Sequence, residues 1–179
     1  MSHVTLPLID HVWGCTKCAR ITRTCCQRCE VLVSAGDRER IAEYTGRTDF
    51  WSDRVPEDPA YADPGGDPNW RAWGFHADGS RPTLNRRQDG DCTFLTATGC
   101  SLPMHVRPLV CRLYPYTYTE HGVNGVSDEC PREVVPPGDN ILNVLDVRRA
   151  DADRWHQMLY AELRTGKRSD EHRPYLRSA

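Results

Sequence analysis

The stretch from Cys15 to Cys29 reads CTKCARITRTCCQRC and places five cysteines within fifteen residues. After Cys29 the chain runs for 62 residues without a cysteine, and the other four then follow between Cys92 and Cys130. Two groups of thiols so far apart in sequence predict a site that brings them together in the fold. Shared metal ligation is the simplest such site.

Length and composition limit the classes of protein. The chain has 179 residues, which suits one domain with a core large enough to fold without covalent staples. Thirteen Gly and thirteen Pro predict a loop-rich fold. A formal net charge of −2 gives no basic field, so we expect neither a nucleic-acid nor an anionic-membrane partner. The isolated pairs Arg86-Arg87 and Arg148-Arg149 are expected on a solvated face.

The expected compartment decides how the thiols are interpreted. Residues 1–14 lack a basic start, a long apolar stretch and a cleavage site, and no later stretch approaches the roughly 18 apolar residues of a membrane span. We therefore predict a cytoplasmic protein whose thiols stay reduced. Nine cysteines would also leave one unpaired in a full disulfide scheme, so metal is favoured over disulfides.

The spacing of the cysteines adds detail. Cys15-x2-Cys18 is a spacing at which two thiolates reach one ion, although a redox dithiol uses the same spacing. The side chains of the adjacent Cys25 and Cys26 diverge, which suits two neighbouring ions or a bridged pair better than one ion. Nine thiols exceed the four of a closed zinc site, so two four-thiolate sites with one spare, or a polynuclear cluster, stay open. Zinc and iron–sulfur both accept such ligands.

The predicted fold class is α+β. We expect a small, loop-rich single domain in which short hairpins and a C-terminal helix pack around a metal–thiolate cluster. The predicted divisions are an N-terminal tail at 1–10, a cysteine-cluster domain at 11–166 and a C-terminal tail at 167–179. Within that domain we expect the motif region at 15–131 and the helix at 139–166.

Local signals predict how the first elements begin and end. Glu30–Val33 is expected to form a short strand. Ser34 is the predicted N-cap of the following helix, and Asp37 takes the place of the usual Glu in a capping box. Gly46 is the predicted end of that helix.

Later signals predict two hairpins and a broken helix. Asp89-Gly90 and Asn124-Gly125 are both expected to form hairpin turns. The apolar residues between 141 and 163 recur at helical spacing. We expect a break near Asp146–Asp151 and an end at Gly166.

Residues 47–80 are dense in Asp, Pro and Gly and are predicted to be mostly irregular chain. The aromatic residues in this segment are expected to hold it against the core, and a flexible lid is the alternative. Residues 47–80 are also the candidate surface for a protein partner. The aromatic residues are Phe50, Trp51, Tyr61, Trp70, Trp73 and Phe75.

The second cysteine group carries a resemblance to a known family. The chain contains CTFL from Cys92, GC at Cys100, RPLVCRLYP around Cys111 and a last Cys130. With the first group and Asp37, this pattern resembles the YkgJ-type cysteine-cluster proteins of the CxxCxxCC zinc- or iron-chelating type. The resemblance covers about 15–131. It implies eight metal ligands: Cys15, Cys18, Cys25, Cys26, Cys92, Cys100, Cys111 and Cys130.

The sequence departs from that family pattern in two places. Six residues separate Cys18 from Cys25, where two or three are usual, and Cys29 is additional, so we expect Cys29 to lie outside the ligand set. Arg107 and Arg112 are predicted to offset the negative charge of the thiolates. His11 and His105 are minor ligand candidates, and His156 is expected to be a packed or surface residue.

Three functions are open at this stage. The first is a protein that chelates zinc or iron, with mononuclear, binuclear and iron–sulfur forms unresolved. The second is an adaptor with a purely structural metal. The third is an enzyme, either a redox enzyme that uses the cluster or a modifying enzyme like the flagellin lysine methylases, in which relatives of the motif occur. We favour a protein that is not an enzyme, because no catalytic residues beyond the cluster are recognisable. The predicted ligand is therefore a metal ion.

Overall fold

The computed structural model describes residues 24–62, 67–130 and 132–171. The predicted ligands Cys15 and Cys18, the candidate His11 and the predicted tail at 1–10 lie outside these residues. The described chain is a small α+β structure. Its helices are α1 Cys25–Arg28, α2 Ala35–Thr45, α3 Trp70–Gly74, α4 Leu109–Leu113, α5 Ile141–Leu145 and α6 Arg149–Glu171. Its strands are β1 Trp51–Arg54, β2 Arg81–Leu84, β3 Leu95–Thr96, β4 Gly99–Cys100, β5 Tyr116–Thr119 and β6 Gly122–Val126, and 3-10 turns lie at Pro59–Tyr61 and Arg132–Val134.

The start and end of α2 confirm the local prediction. The Ser34 hydroxyl accepts the Asp37 N–H at 3.0 Å, and the Asp37 carboxylate accepts the Ser34 N–H at 3.1 Å. This reciprocal capping box satisfies two backbone donors at the helix start. At the other end Gly46 has φ of 68°, a left-handed value that glycine adopts without steric cost.

Residues 47–80 contain more regular structure than the sequence predicted. β1 pairs antiparallel with β2, from Trp51 opposite Leu84 to Arg54 opposite Arg81. Most of the described part of this segment lies outside helices and strands, as predicted, but β1 was not foreseen, because it is defined by a partner some thirty residues away and not by its own composition. On the other side of β2 the predicted strand Glu30–Val33 forms a single bridge, Leu32 to Thr83.

The aromatic residues of this segment hold it against the core, as predicted. Phe50, Trp70 and Phe75 are buried, and Trp51, Tyr61 and Trp73 are partly buried. The core has two parts. One surrounds Phe50, Phe94 and Leu102, and the other surrounds Leu109, Leu113 and α6.

One hairpin turn was predicted in the right place and one was not. At Asp89-Gly90 the chain reverses with Gly90 at φ of 86°, and Arg86 bridges Cys92 across the turn. Asn124-Gly125 instead lies within β6, and the turn between β5 and β6 falls at Glu120-His121. The tertiary contact that selects this turn is the Asp67 carboxylate, which accepts the Glu120 N–H at 3.1 Å.

The C-terminal helical region is broken where the sequence predicted. α5 ends at Asp146, whose φ of 50° is left-handed, and α6 begins at Arg149. The helix does not end at Gly166 but continues to Glu171. α6 contacts α2, α3, α4 and β6 and so joins most of the fold. Among the described residues, no helix has the length and apolar character that a membrane crossing requires.

Candidate metal centre

The two cysteine groups are joined through the backbone. Cys25 and Cys26 begin α1, which Thr24 and Gln27 cap by reciprocal hydrogen bonds. The carbonyl of Cys26 accepts the N–H of Cys92 at 2.8 Å. This single bond connects residues that are 66 positions apart in the sequence. The convergence that the spacing predicted is therefore present for these two cysteines.

Three short elements supply the other thiols. Cys92 is buried next to the Asp89-Gly90 turn, and Cys100 lies in β4 opposite Leu95. Cys111 lies in the middle of α4, which begins after Pro108. Together with Cys26 they form what we call the four-thiol group: Cys26, Cys92, Cys100 and Cys111.

The members of the four-thiol group interact electrostatically. Burial raises the pKa of Cys111 well above its ordinary value, and the charges of Cys26, Cys92 and Cys100 raise it further. Burial also raises the pKa of Cys92 to about 12, with added contributions from Cys26 and Cys100. Like charges oppose each other's ionisation. Without a cation among them, Cys92 and Cys111 are therefore protonated thiols.

Cys26 behaves differently from the other three. A hydrogen bond from Cys25 lowers the pKa of Cys26 to about 7, against the opposing effect of burial. The positive charge of Arg107 and a hydrogen bond from Thr24 lower it further. Cys26 is thus the member of the group that ionises most readily.

The two predicted arginines have different positions. Arg107 is buried, donates from Nε to the Leu102 carbonyl at 2.9 Å and hydrogen-bonds to Cys100. Arg112 donates from Nε to the Arg107 carbonyl at 2.7 Å. Arg107 is therefore the cation that reaches the sulfurs of Cys26 and Cys100, and Arg112 braces the backbone of Arg107.

The other described cysteines lie beside tyrosines. The Cys130 thiol donates to the Tyr114 hydroxyl at 3.2 Å, and burial together with this bond raises the pKa of Tyr114. The charge of Cys25 acts on the same hydroxyl. Cys29 hydrogen-bonds to Tyr61, and burial raises the pKa of Cys29. All seven described cysteines are thiols without a disulfide.

The sequence missed the role of Arg86-Arg87. Arg86 donates to the Cys29 carbonyl at 2.6 Å and lowers the pKa of Cys92 by its charge. Arg87 donates to the Leu95 carbonyl at 2.6 Å and ion-pairs with Asp91 at 3.0 Å. Arg87 and the pair Arg148-Arg149 are exposed, as expected, whereas Arg86 is half-buried. Two adjacent arginines carry no sequence signal for such carbonyl contacts, which depend on long-range folding.

The histidines contribute little to this centre. The side chain of His105 is exposed, and its carbonyl accepts a bond from Arg112. His156 is packed, as predicted, and its Nε2 lies 2.6 Å from the Thr119 carbonyl oxygen. Within the three described ranges, no set of three or more His, Cys, Asp or Glu side chains is placed to hold one ion.

The donor chemistry fits a soft or borderline metal ion. Sulfur ligands favour zinc and iron–sulfur centres over magnesium or calcium. The thiols around Arg107 form a candidate cysteine-cluster site, in which a divalent cation would relieve the repulsion among thiolates.

The comparison with protein families agrees with this class of site. Residues 14–131 match the family model CxxCxxCC, which is described as "Putative zinc- or iron-chelating domain". The match covers more than half of the chain, and the chain belongs to this family. A search of curated proteins and a search of solved structures found no significant match.

Proposed function

We propose that this protein chelates zinc or iron through two sets of cysteines. The four-thiol group is the first set. The second consists of the remaining predicted ligands, namely Cys15, Cys18, Cys25 and Cys130. Cys29 lies outside both sets. In this arrangement the adjacent Cys25 and Cys26, whose side chains hydrogen-bond to each other, serve two neighbouring ions.

The observation that carries the proposal is the approach of the two cysteine groups, seen in the Cys26–Cys92 backbone bond and in the electrostatic effect of Cys26, Cys92 and Cys100 on Cys111. Each of Cys92, Cys100 and Cys111 has a pKa raised by burial and by a neighbouring thiolate. A divalent ion removes this cost because it is attracted to all four sulfurs at once. Binding would therefore release protons and draw the thiolates together.

Arg107 supports the proposal through charge. Four thiolates on a divalent ion leave a net charge of −2, which is costly in a buried place. Arg107 is buried and hydrogen-bonds to Cys100, so it offsets part of that charge. Arg112 contributes by fixing the position of the Arg107 backbone.

The decisive experiment is anaerobic purification followed by elemental analysis and an absorption spectrum. We expect zinc or iron bound in stoichiometric amount. Sulfur-to-iron charge-transfer bands would identify an iron–sulfur centre, and a colourless protein with zinc would identify a zinc site. If the purified protein contains neither metal and binds neither on reconstitution, the proposal is refuted.

A serine series tests the ligand sets. Cys100→Ser and Cys111→Ser should each lose the metal of the four-thiol group, because serine is a poor ligand for these ions. Cys29→Ser is the matched control, since it changes a thiol of the same chain and should leave the metal content unchanged. Equal metal content in Cys111→Ser and Cys29→Ser would contradict the ligand assignment.

Lability separates a chelator from an adaptor with a structural metal. A chelator exchanges its ion with a competing ligand while it stays folded, whereas a structural site loses the fold with the ion. Circular dichroism recorded during chelator titration distinguishes the two. The cytoplasmic location and a protein partner at residues 47–80 stay predictions.

A further inference from the structure

The carboxylate of Asp37 connects two helices that are far apart in sequence. Asp37 is fully buried, at 0 % exposure. Its Oδ1 accepts the Leu109 N–H at 3.0 Å and the Arg40 guanidinium at 2.6 Å, and its Oδ2 accepts the Ser34 N–H at 3.1 Å. Leu109 is the first residue of α4, so Asp37 of α2 holds the start of the helix that carries Cys111.

Helix α4 depends on this contact because little within the helix itself stabilises it. Its N-cap is Pro108, which makes no side-chain capping bond, and the helix has five residues. A helix this short is not stable by itself, and its first N–H groups lack partners within the helix. Leu109 is at 0 % exposure, so water does not reach its N–H. Asp37 supplies the missing acceptor.

Asp37 is itself held in place from α6. Arg40, which bonds to Asp37, also bonds to Glu162 at 2.6 Å. The Ser34 hydroxyl bonds to the Glu162 carboxylate as well. Helices α2, α4 and α6 thus meet in one hydrogen-bonded network that ends two residues before Cys111.

We propose that Asp37 is a positioning residue for the metal centre, which fixes α4 and thereby the place of the Cys111 sulfur. This inference rests on the proposed chelating function and names a residue that controls it. Asp37 binds no metal in this scheme. It acts through the Leu109 N–H.

The charge of Asp37 and its hydrogen bond have opposite effects on the centre. As an anion near Cys111, the carboxylate disfavours the Cys111 thiolate. If only the charge of Asp37 mattered, removing the carboxylate would favour the Cys111 thiolate and slow metal release. If the hydrogen bond to Leu109 matters more, removing the carboxylate will loosen α4 and speed metal release. The sign of the effect therefore separates the two roles.

The test compares Asp37→Ala with Asp37→Asn in the metal-loaded full chain. Asp37→Ala removes the acceptor of the Leu109 N–H together with the charge, whereas Asp37→Asn, the matched control, removes the charge and keeps a side-chain oxygen that accepts this N–H. The first measurement is the rate at which a competing chelator extracts the metal. We expect Asp37→Ala to release it about 10- to 100-fold faster than wild type, the usual effect of losing a group that orients a ligand. Asp37→Asn should release it no faster than wild type.

Site-resolved alkylation gives a second readout that general destabilisation would not produce. In loaded Asp37→Ala, Cys111 should become reactive before Cys92 and Cys100, as read from peptide masses. Reactivity that rises equally at all three thiols, in step with the loss of folding stability, would overturn the inference. An extraction rate of Asp37→Ala equal to or slower than that of wild type would also overturn it.

Two further controls keep the result interpretable. If the wild-type protein itself binds no metal, the result refutes the proposed function and not the contacts of Asp37. If Asp37→Ala does not fold, Arg40→Gln replaces it, since Arg40 is partly exposed and its loss frees the carboxylate from its charged partner. Arg40→Gln should speed release in the same direction. An unchanged rate in folded Arg40→Gln would count against the inference.

Discussion

At the scale of the single residue, neighbours determine how readily each thiol ionises. Cys26 and Cys92 are joined by a backbone bond, yet one has a pKa near 7 and the other near 12. Cys26 accepts hydrogen bonds and faces Arg107, whereas burial dominates at Cys92. The same residue type thus supplies both a readily ionised thiol and a protonated one. The first is the one that a metal ion would meet as a thiolate.

Replacing Arg107 with methionine should raise the pKa of Cys26 in the metal-free protein. The substitution removes a positive charge and keeps an unbranched side chain of similar length. Thiolate absorbance followed against pH measures the change. Arg47→Met is the control, since Arg47 is exposed and pairs with Asp49. If Arg107→Met leaves the pKa of Cys26 unchanged, Arg107 is not the cation that lowers this pKa.

The low pKa of Cys26 also predicts a pH dependence of stability in the metal-free protein. The folded chain releases the Cys26 proton near pH 7 and the unfolded chain near pH 9, so the unfolded state binds more protons between these values. The contribution of Cys26 is therefore complete above pH 9 and is lost as the pH falls through 7.

The measurement is the difference in unfolding free energy between wild type and Cys26→Ser. Taking the difference removes the opposite trend of the buried thiols, whose raised pKa values lower stability at high pH. We expect the difference to grow by about 1–2 kcal/mol from pH 7 to pH 9, after allowance for solvent screening. A difference that stays flat or shrinks over this range would contradict the prediction.

At the scale of the element, close approach between α2 and α6 depends on one glycine. A Cβ added at Gly36 would lie 2.5 Å from Cδ of Glu162. Glu162 bonds to both Ser34 and Arg40, so a methyl group at this place would push its carboxylate out of the network. Gly166 in α6 has nothing within 4 Å of such a Cβ.

Gly36→Ala and Gly166→Ala should therefore change stability in opposite directions. The first should lower the free energy of unfolding by about 1 kcal/mol, because lost bonds to charged groups outweigh the better helix propensity of alanine. The second should raise it by about 0.5–1 kcal/mol through propensity alone. Urea unfolding of both variants checks this. If Gly36→Ala raises the free energy of unfolding, the Glu162 carboxylate moves aside without a loss of stability.

The elements that the sequence predicted are those specified by neighbouring residues. Ser34, Asp37 and Gly46 lie within thirteen positions and define α2 by local hydrogen bonds and a left-handed residue. The turn of β5 and β6 was misplaced because a distant carboxylate, Asp67, binds the Glu120 N–H and outweighs the local preference of Asn124-Gly125. β1 was missed for the same reason, since its partner β2 is not adjacent.

At the scale of the whole molecule, the candidate metal centre lies where separate parts of the chain meet. Cys26 and Cys92 pack with the core part around Phe94, and Cys130 packs with the part around α6. The approach of Cys26 to Cys92 agrees with what the gap in cysteine spacing predicted. The contributions of Arg86, Tyr114 and Asp37 could not be predicted, since each depends on a contact made only after folding.

Removal of the metal should lower the melting midpoint of the whole protein. If binding energy is also folding energy, an ion at 100 times its dissociation constant adds about 2.7 kcal/mol. For a chain of this size that corresponds to about 5–10 °C. Differential scanning calorimetry with and without chelator measures the shift, and Cys29→Ser should show the same shift as wild type. If chelator leaves the melting midpoint of the metal-loaded protein unchanged, the ion does not bridge the two cysteine groups.

The bond between Cys26 and Cys92 has a consequence for the time at which the centre is completed. A ribosome adds about 5–20 residues per second, so the 66 positions between these cysteines represent roughly 3–13 s of synthesis. During that interval Cys25, Cys26 and Cys29 have emerged while the partners of Cys26 do not yet exist as polypeptide. The four-thiol group can form only after Cys111 has been added. If this group binds a metal ion as proposed, it can do so only after most of the chain up to Cys111 has been synthesised.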